Sequence, residues 1–162
     1  MDGMEDRDLL QAGFRYAFSL THQHHDAEDL VQEAWIRLSR LYGNVASKSL
    51  FFVTIRNLFI DQYRRKNLVL IDTLEPGNEP VADDDLLQLT LTSKDIEQAM
   101  AALRAEEREV IFLNIVEGYT AQEIAELTQR SRNTILSLLY RGKKKLVSAL
   151  QNELTGESYL AN

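Results

Sequence analysis

Residues 118–146, GYTAQEIAELTQRSRNTILSLLYRGKKKL, have the pattern of a helix-turn-helix running on into a basic helical tail. Gly118 stands where an incoming helix would end in a left-handed turn. Thr120 and Glu123 have capping-box spacing, the threonine hydroxyl accepting from an orphan amide while the glutamate accepts from the amide of Thr120. Ile124, Ala125 and Leu127 give the first helix an apolar face. Thr128-Gln129-Arg130 makes the turn, and Ser131 is the expected N-cap of the second helix. Ile135, Leu138, Leu139, Gly142, Leu146 and Leu150 then recur at helical spacing as a buried stripe. In such a motif the second helix lies in the DNA major groove, braced by the first. A helical hairpin with a basic end has the same local signature.

The 162-residue chain is 44% hydrophobic, enough to bury a core as one domain or two small ones. It has no cysteine, which excludes disulfides, thiolate catalysis and cysteine-ligated zinc. The start, MDGMEDRDLL, lacks the apolar segment of a signal peptide, and no apolar run approaches spanning length, so no membrane insertion and a cytoplasmic protein are expected. The net charge of -7 argues superficially against nucleic acid. Its distribution says otherwise. Cations cluster at Arg64-Arg65-Lys66 and at Arg130, Arg132, Arg141 and Lys143 to Lys145, while acids gather at Asp26 to Glu33, Asp83 to Asp85, and Glu106, Glu107 and Glu109. A phosphate feels the field within about 8–10 Å, so local charge decides.

The only two prolines, Pro76 and Pro80, lie in EPGNEPVADDD, which is linker chemistry. The rest of the chain carries helical periodicity. The expected fold is all-α, with two small helical domains joined by a flexible linker. A three-helix bundle occupies 1–70, an acidic linker 71–93, and a helix-turn-helix domain 94–162. The bundle's helices are read at about Asp6 to Leu20, Asp26 to Leu41 with Asp26 as N-cap, and Ser47 to Lys66. In the second domain, helices over Asp95 to Leu103 and Glu106 to Glu117 precede the helix-turn-helix.

Three other clusters carry chemistry. The second helix presents Asp26, Glu28, Asp29, Gln32 and Glu33; like charges four apart cost a few tenths of a kcal/mol on one face. The arrangement suits either a basic partner or a solvated helix start favoured by the dipole. The third helix ends in RNLFIDQYRRK, residues 56–66, where aromatics beside arginines suit unpaired bases. Phe51, Phe52 and Phe59 at helical spacing equally suit a core. His22, His24 and His25 sit beside Asp26 and read as a surface loop, since one short segment rarely closes a metal site. No carboxylate pairs with a nucleophile, base or phosphate loop, so neither catalysis nor a cofactor or metal is expected.

The segments DAEDLVQEAWIRLSRLY (26–42), IRNLFIDQYRRK (55–66) and LRAEEREVIFLNIVEGYTAQEIAEL (103–127), with an acidic linker before the last, resemble bacterial RNA polymerase sigma factors. The resemblance is to the small extracytoplasmic-function group, which keeps only the second and fourth sigma domains, and it covers nearly the whole chain in order. It implies an alternative sigma factor that binds core RNA polymerase, including the β′ clamp helices and the β flap, and directs initiation at promoter DNA under an anti-sigma factor. By the same resemblance Asp29, Leu30, Gln32 and Glu33 dock on the clamp helices. Arg56, Asn57, Asp61, Arg64, Arg65 and Lys66 melt and read the −10 element. Arg132, Asn133, Thr134, Ser137, Tyr140, Arg141 and Lys144 contact the −35 element. The linker would let both domains occupy their elements together, raising effective concentration.

The chain departs from the family pattern in places. Leucines stand at 136 and 138 where the family tends to be basic, Leu50 lies where a tryptophan is usual, and Thr128 to Ser131 replaces a glycine-containing turn. Leu138 falls at the edge of the buried stripe. Leu136 lies off it, one turn from Tyr140, facing either thymine methyls or a protein partner. Two other functions fit the same residues: a helix-turn-helix regulator acting without polymerase, and a sigma mimic that titrates an anti-sigma factor.

Overall fold

The structure, a computed structural model, describes residues 5–45, 47–67 and 93–160. Every regular element among the described residues is helical: α1 (Asp6–Thr21), α2 (His24–Tyr42), α3 (Lys48–Asn67), α4 (Ser93–Met100), α5 (Ala105–Ile111), a π-helical turn (Phe112–Val116), α6 (Ala121–Thr128) and α7 (Arg132–Leu160). The chain forms two compact units, the first built on α1–α3 and the second on α4, α5 and α7. The acidic linker expected at 71–93 lies outside the described residues, apart from Ser93, which opens α4. No helix among the described residues is long and apolar enough to cross a membrane.

In the first unit each helix packs on the other two. Leu9, Ala12, Tyr16, Ala17 and Leu20 form the buried stripe of α1, and Asp6 and Asp8 complement its positive end. The helix stops at His22, whose left-handed backbone (φ 53) lets its amide donate to the Phe18 carbonyl at 2.7 Å. Ala27, Leu30, Val31, Ala34 and Leu38 are the stripe of α2, which ends at Gly43 with φ +85. The Ser47 hydroxyl accepts from the amide of Leu50 at 3.2 Å and so caps α3. Phe51, Phe52 and Ile55 of α3 are fully enclosed. Phe52 stacks on Tyr16 (centroids 4.6 Å apart), and Phe51 meets Trp35 edge-on at 5.5 Å. Gly13 is the aperture for Phe51: a β-carbon there would lie 2.4 Å from Phe51 Cε2.

Two expectations here need correction. Helix α2 begins at His24, with Gln23 in the extended N-cap position and no side-chain cap, so Asp26 serves the first turn as a dipole partner instead. The histidines are not a plain surface loop. His24 stacks on Phe18 at 4.5 Å and Phe14 at 5.8 Å, and His22 stacks on Phe18 at 4.9 Å, so ring contacts draw them to the α1–α2 junction.

In the second unit α4 and α5 both pack on α7. Helix α4 ends at Met100 rather than Leu103, and α5 gives way at Phe112 to a π turn rather than continuing to Glu117. The amide of Glu117 donates to the Phe112 carbonyl (3.1 Å) and that of Tyr119 to Leu113 (2.9 Å), widening the coil into the reversal at Gly118, φ +78. The Asn114 side-chain amide donates to the Tyr119 carbonyl at 2.9 Å and holds that reversal. The capping box of α6 forms as its spacing predicts, with Glu123 N–H to Thr120 Oγ1 at 3.1 Å and Thr120 N–H to Glu123 Oε1 at 2.9 Å. Gln129 takes the left-handed turn conformation (φ 58), and the Arg130 amide closes the turn on the Ala125 carbonyl at 3.0 Å. Ser131 caps α7 through the Thr134 amide at 3.1 Å.

Alanine in place of glycine in an open helix stabilises by about 1 kcal/mol. At Gly13 the enclosed Phe51 ring should reverse the sign. Gly13→Ala is expected to destabilise the first unit by about 1–3 kcal/mol in urea unfolding. Phe51→Leu in the same chain should return part of that loss; equal losses with either residue at 51 would show that the ring is not the obstacle.

Candidate partner and nucleic-acid interfaces

Helix α2 has two chemically separate sides. Asp29, Gln32 and Glu33 are exposed, opposite the stripe of Ala27, Leu30, Ala34 and Leu38. Leu30, expected on the docking face, is 1% exposed and belongs to the core, because one residue beyond Asp29 turns the helix about 100°. His25 lies 3.7 Å from Asp29, and Arg37 lies 3.6 Å from Glu33 in solvent, an ion pair worth a few tenths of a kcal/mol. Beyond Glu33 the surface changes character. Glu33, Ile36, Arg37, Arg40 and Leu41 line one depression, with Ile36 and Leu41 49% and 66% exposed. The sequence reading missed this apolar and basic half; the signal available was Ile36, an isoleucine off the core stripe.

At the end of α3, Asn57, Asp61, Arg64, Arg65 and Lys66 are exposed, as a nucleic-acid surface requires. Arg65 pairs with Asp61 at 2.8 Å, one turn back. Tyr63 is 41% exposed and its ring lies 5.9 Å from that of Phe59, so an aromatic step borders the cations. Arg56 does not join them. It is 9% exposed and has an interaction partner.

On α7, Arg132, Asn133 and Lys144 are exposed, and Leu136 and Tyr140 are half-buried. The Lys144 ammonium sits 5.8 Å from the centre of the Tyr140 ring. Thr134 is half-buried, its hydroxyl 2.9 Å from that of Ser131, so it serves the helix start. Ser137, expected at the DNA face, is 2% exposed and has a partner within the fold, its short side chain withdrawn below its longer neighbours. Arg141 is half-buried, and its Nη2 is shielded from solvent without a hydrogen-bond partner. Leu138, 1% exposed, widens the core stripe.

The lysine cluster is divided by the packing of α7 on α5. Lys145, its side chain still 43% exposed, donates to both carboxylate oxygens of Glu107, at 3.0 and 3.1 Å. Glu107 is 1% exposed and also accepts from the Arg104 amide at 2.9 Å. Its neighbours Arg108 and Glu109 are buried too, so the acidic run 106–109 is not the solvated patch its composition suggests. Burial pushes the Arg108 guanidinium below its ordinary pKa, opposed by the Glu106 and Glu107 carboxylates, and its Nη1 donates to the Leu103 carbonyl at 2.6 Å. Gly142 makes this approach feasible: a β-carbon there would lie 3.0 Å from Ile111 Cγ1 and 3.5 Å from the β-carbon of Glu107. Among the described residues no group of three or more histidine or acidic side chains could hold a metal ion.

Comparison with known proteins follows the same division. The family described as Sigma-70 region 2 matches residues 7–69, and that described as Sigma-70, region 4 matches residues 93–146. The chain is 30% identical over 145 residues to ECF RNA polymerase sigma factor SigL of Mycobacterium tuberculosis, covering 85% of this chain and 82% of that protein. It is 26% identical over 145 residues to ECF RNA polymerase sigma factor SigX of Bacillus subtilis, covering 82% and 75% respectively. Among solved structures it is similar to the sigma factor RpoE of Bartonella quintana, co-crystallised with the anti-sigma factor NepR, at a TM-score of 0.64 and 27% identity over 88% of this chain and 92% of that one.

Removing the ammonium should leave the Glu107 carboxylate buried with only a backbone donor. Lys145→Met is expected to cost about 1.5–3 kcal/mol in urea unfolding. Combined with Glu107→Gln it should cost clearly less than the two single losses added together. Additive losses would mean that the two side chains do not act as a pair.

Proposed function

Because the chain belongs to the extracytoplasmic-function RNA polymerase sigma factors, we propose that its three exposed faces are the surfaces through which it assembles on polymerase and promoter. The protein is an alternative sigma factor, which binds core RNA polymerase and directs initiation at a specific set of promoters. Residues 1–70 act as the domain for core binding and the −10 element, residues 94–162 as the domain for the −35 element, and 71–93 as the tether between them.

Asp29, Gln32 and Glu33 dock on the β′ clamp helices. The observation that carries this is the separation on α2 of an open acidic face from its apolar stripe. Acids kept at spacings that repel one another gain when a basic surface neutralises them. Ile36 and Leu41 beside them add apolar area of the kind that anchors an interface. Asn57, Asp61, Arg64, Arg65 and Lys66, with Tyr63, hold the opened −10 strand, cations on phosphate and ring on base. Arg132, Asn133, Tyr140 and Lys144 face the −35 duplex, while the second domain also meets the β flap.

Strand opening in this reading is driven by the free energy of binding core and promoter. The protein acts as an initiation factor and not as a catalyst, without cofactor, in the cytoplasm where polymerase and promoter are found. The RpoE relative is solved with an anti-sigma factor, and an anti-sigma factor is the proposed regulator of this chain as well.

Purified protein should capture bacterial core RNA polymerase, and Glu33→Lys should weaken capture by about tenfold or more, since a like charge then meets the partner. Far-ultraviolet circular dichroism of the variant should be unchanged, because Glu33 is exposed. Undiminished capture by the folded variant would move the core-binding surface away from α2.

A further inference from the structure

We infer that α7 reads A·T pairs of the −35 element by apolar contact, with Leu136 packed against thymine 5-methyl groups and Asn133 hydrogen-bonded to adenine. The inference rests on the proposed entry of α7 into the −35 major groove, and adds to it which bases are read and by what chemistry.

A recognition helix contacts base edges mainly with residues of its N-terminal turns. On α7 the inward positions there are taken by Ile135, Leu138 and Leu139, all buried. Ser137 is buried as well, and Thr134 is engaged with Ser131. Besides Arg132 at the first position, Asn133, Leu136 and Tyr140 remain, at i, i+3 and i+7, one continuous strip along the helix.

The chemistry of that strip selects bases. In the major groove thymine alone carries an apolar group, its 5-methyl, while adenine offers the donor and acceptor pair that a carboxamide meets bidentately. A leucine pressed against guanine or cytosine would strip water from polar edges and return no hydrogen bond. Against thymine it removes two apolar groups from water together. The Tyr140 ring continues the apolar strip from Leu136, and Lys144 lies over that ring, 5.8 Å from its centre.

Charge favours a nucleic acid as the occupant of this strip over a protein. Exposed Arg132 stands at one end, and Lys143 and exposed Lys144 at the other, spaced to meet phosphates on either side of a groove. Lys145 is excluded from that set by its bonds to Glu107.

Holoenzyme assembled from this chain and bacterial core RNA polymerase is offered a duplex library randomised across the −35 element, prepared once with dTTP and once with dUTP. The dT library should yield a motif enriched in T·A pairs; in the dU library the enrichment should vanish at the positions facing Leu136 and persist at the adenine facing Asn133. On one selected duplex, dT→dU at the position facing Leu136 should weaken binding about fourfold, the worth of one buried methyl-sized group. Leu136→Ala holoenzyme should bind the dT and dU duplexes alike, and the base substitution leaves the wild-type protein itself untouched.

Equal binding of dT and dU duplexes by the wild type overturns the inference. So does a Leu136→Ala holoenzyme that keeps the wild-type preference for dT, and so does one that binds DNA as the wild type does but no longer binds an anti-sigma factor, which would make the strip a protein surface. Lys143→Gln tests the reading beneath: it should reduce the slope of log K against log salt by about 0.9 on every duplex. An unchanged slope would take α7 off the DNA altogether, an outcome separate from failure of the methyl contact.

Discussion

The placement of α7 depends on one buried carboxylate. Glu107 is enclosed between α5 and α7, and three hydrogen bonds compensate its charge: two from Lys145 and one from the Arg104 amide. A carboxylate removed from water is tolerated only where such donors converge. That requirement ties α7 to the start of α5 at a defined position along its length. Gly142, one turn before Lys145, lets the two helices close to the distance at which the lysine reaches. The residues proposed to face the −35 element, Arg132 to Tyr140, lie about one to four turns earlier on the same helix. Their position relative to α5 is therefore set in part by the Glu107–Lys145 contact.

Helix α2 solves a different problem with the same economy of elements. Its apolar stripe contributes Ala27, Leu30, Ala34 and Leu38 to the first core, and its opposite side is exposed. Two small alanines in that stripe, Ala27 and Ala34, are fully buried. The outer side runs from acidic at Asp29 and Glu33 to mixed apolar and basic at Ile36, Arg37, Arg40 and Leu41. Used as the proposed docking surface, such a gradient would give it polarity along the helix axis and favour one direction of approach.

Much of the architecture was legible in the chain. The Thr120–Glu123 capping box and the Ser131 cap form as read, because a cap spans three residues and needs nothing from elsewhere. Helices α1 and α3 begin and end within a residue of the expected positions. The errors fall where a local signal competed with a distant one. Asp26 has the chemistry of an N-cap, yet ring stacking of His24 on Phe14 and Phe18 starts the helix earlier. The stretch to Glu117 has α-helical periodicity, yet the reversal at Gly118 widens its last turn into a π coil.

What the sequence determined by itself is the kind of structure, all helical and ordered as two sigma regions, together with the caps and stripes that delimit each helix. These follow from hydrogen bonds and apolar spacings that close within a turn or two of chain. Only the tertiary structure decided which members of each motif remain available. Leu30, Arg56, Ser137 and Lys145 all belong to segments with the right composition for an interface; packing buries the first three, and Lys145, still exposed, has its ammonium engaged by Glu107. For Lys145 the reason is a partner 38 residues away. No pattern confined to one helix can announce a partner at that distance, and so the sequence marks a face while the fold chooses its residues.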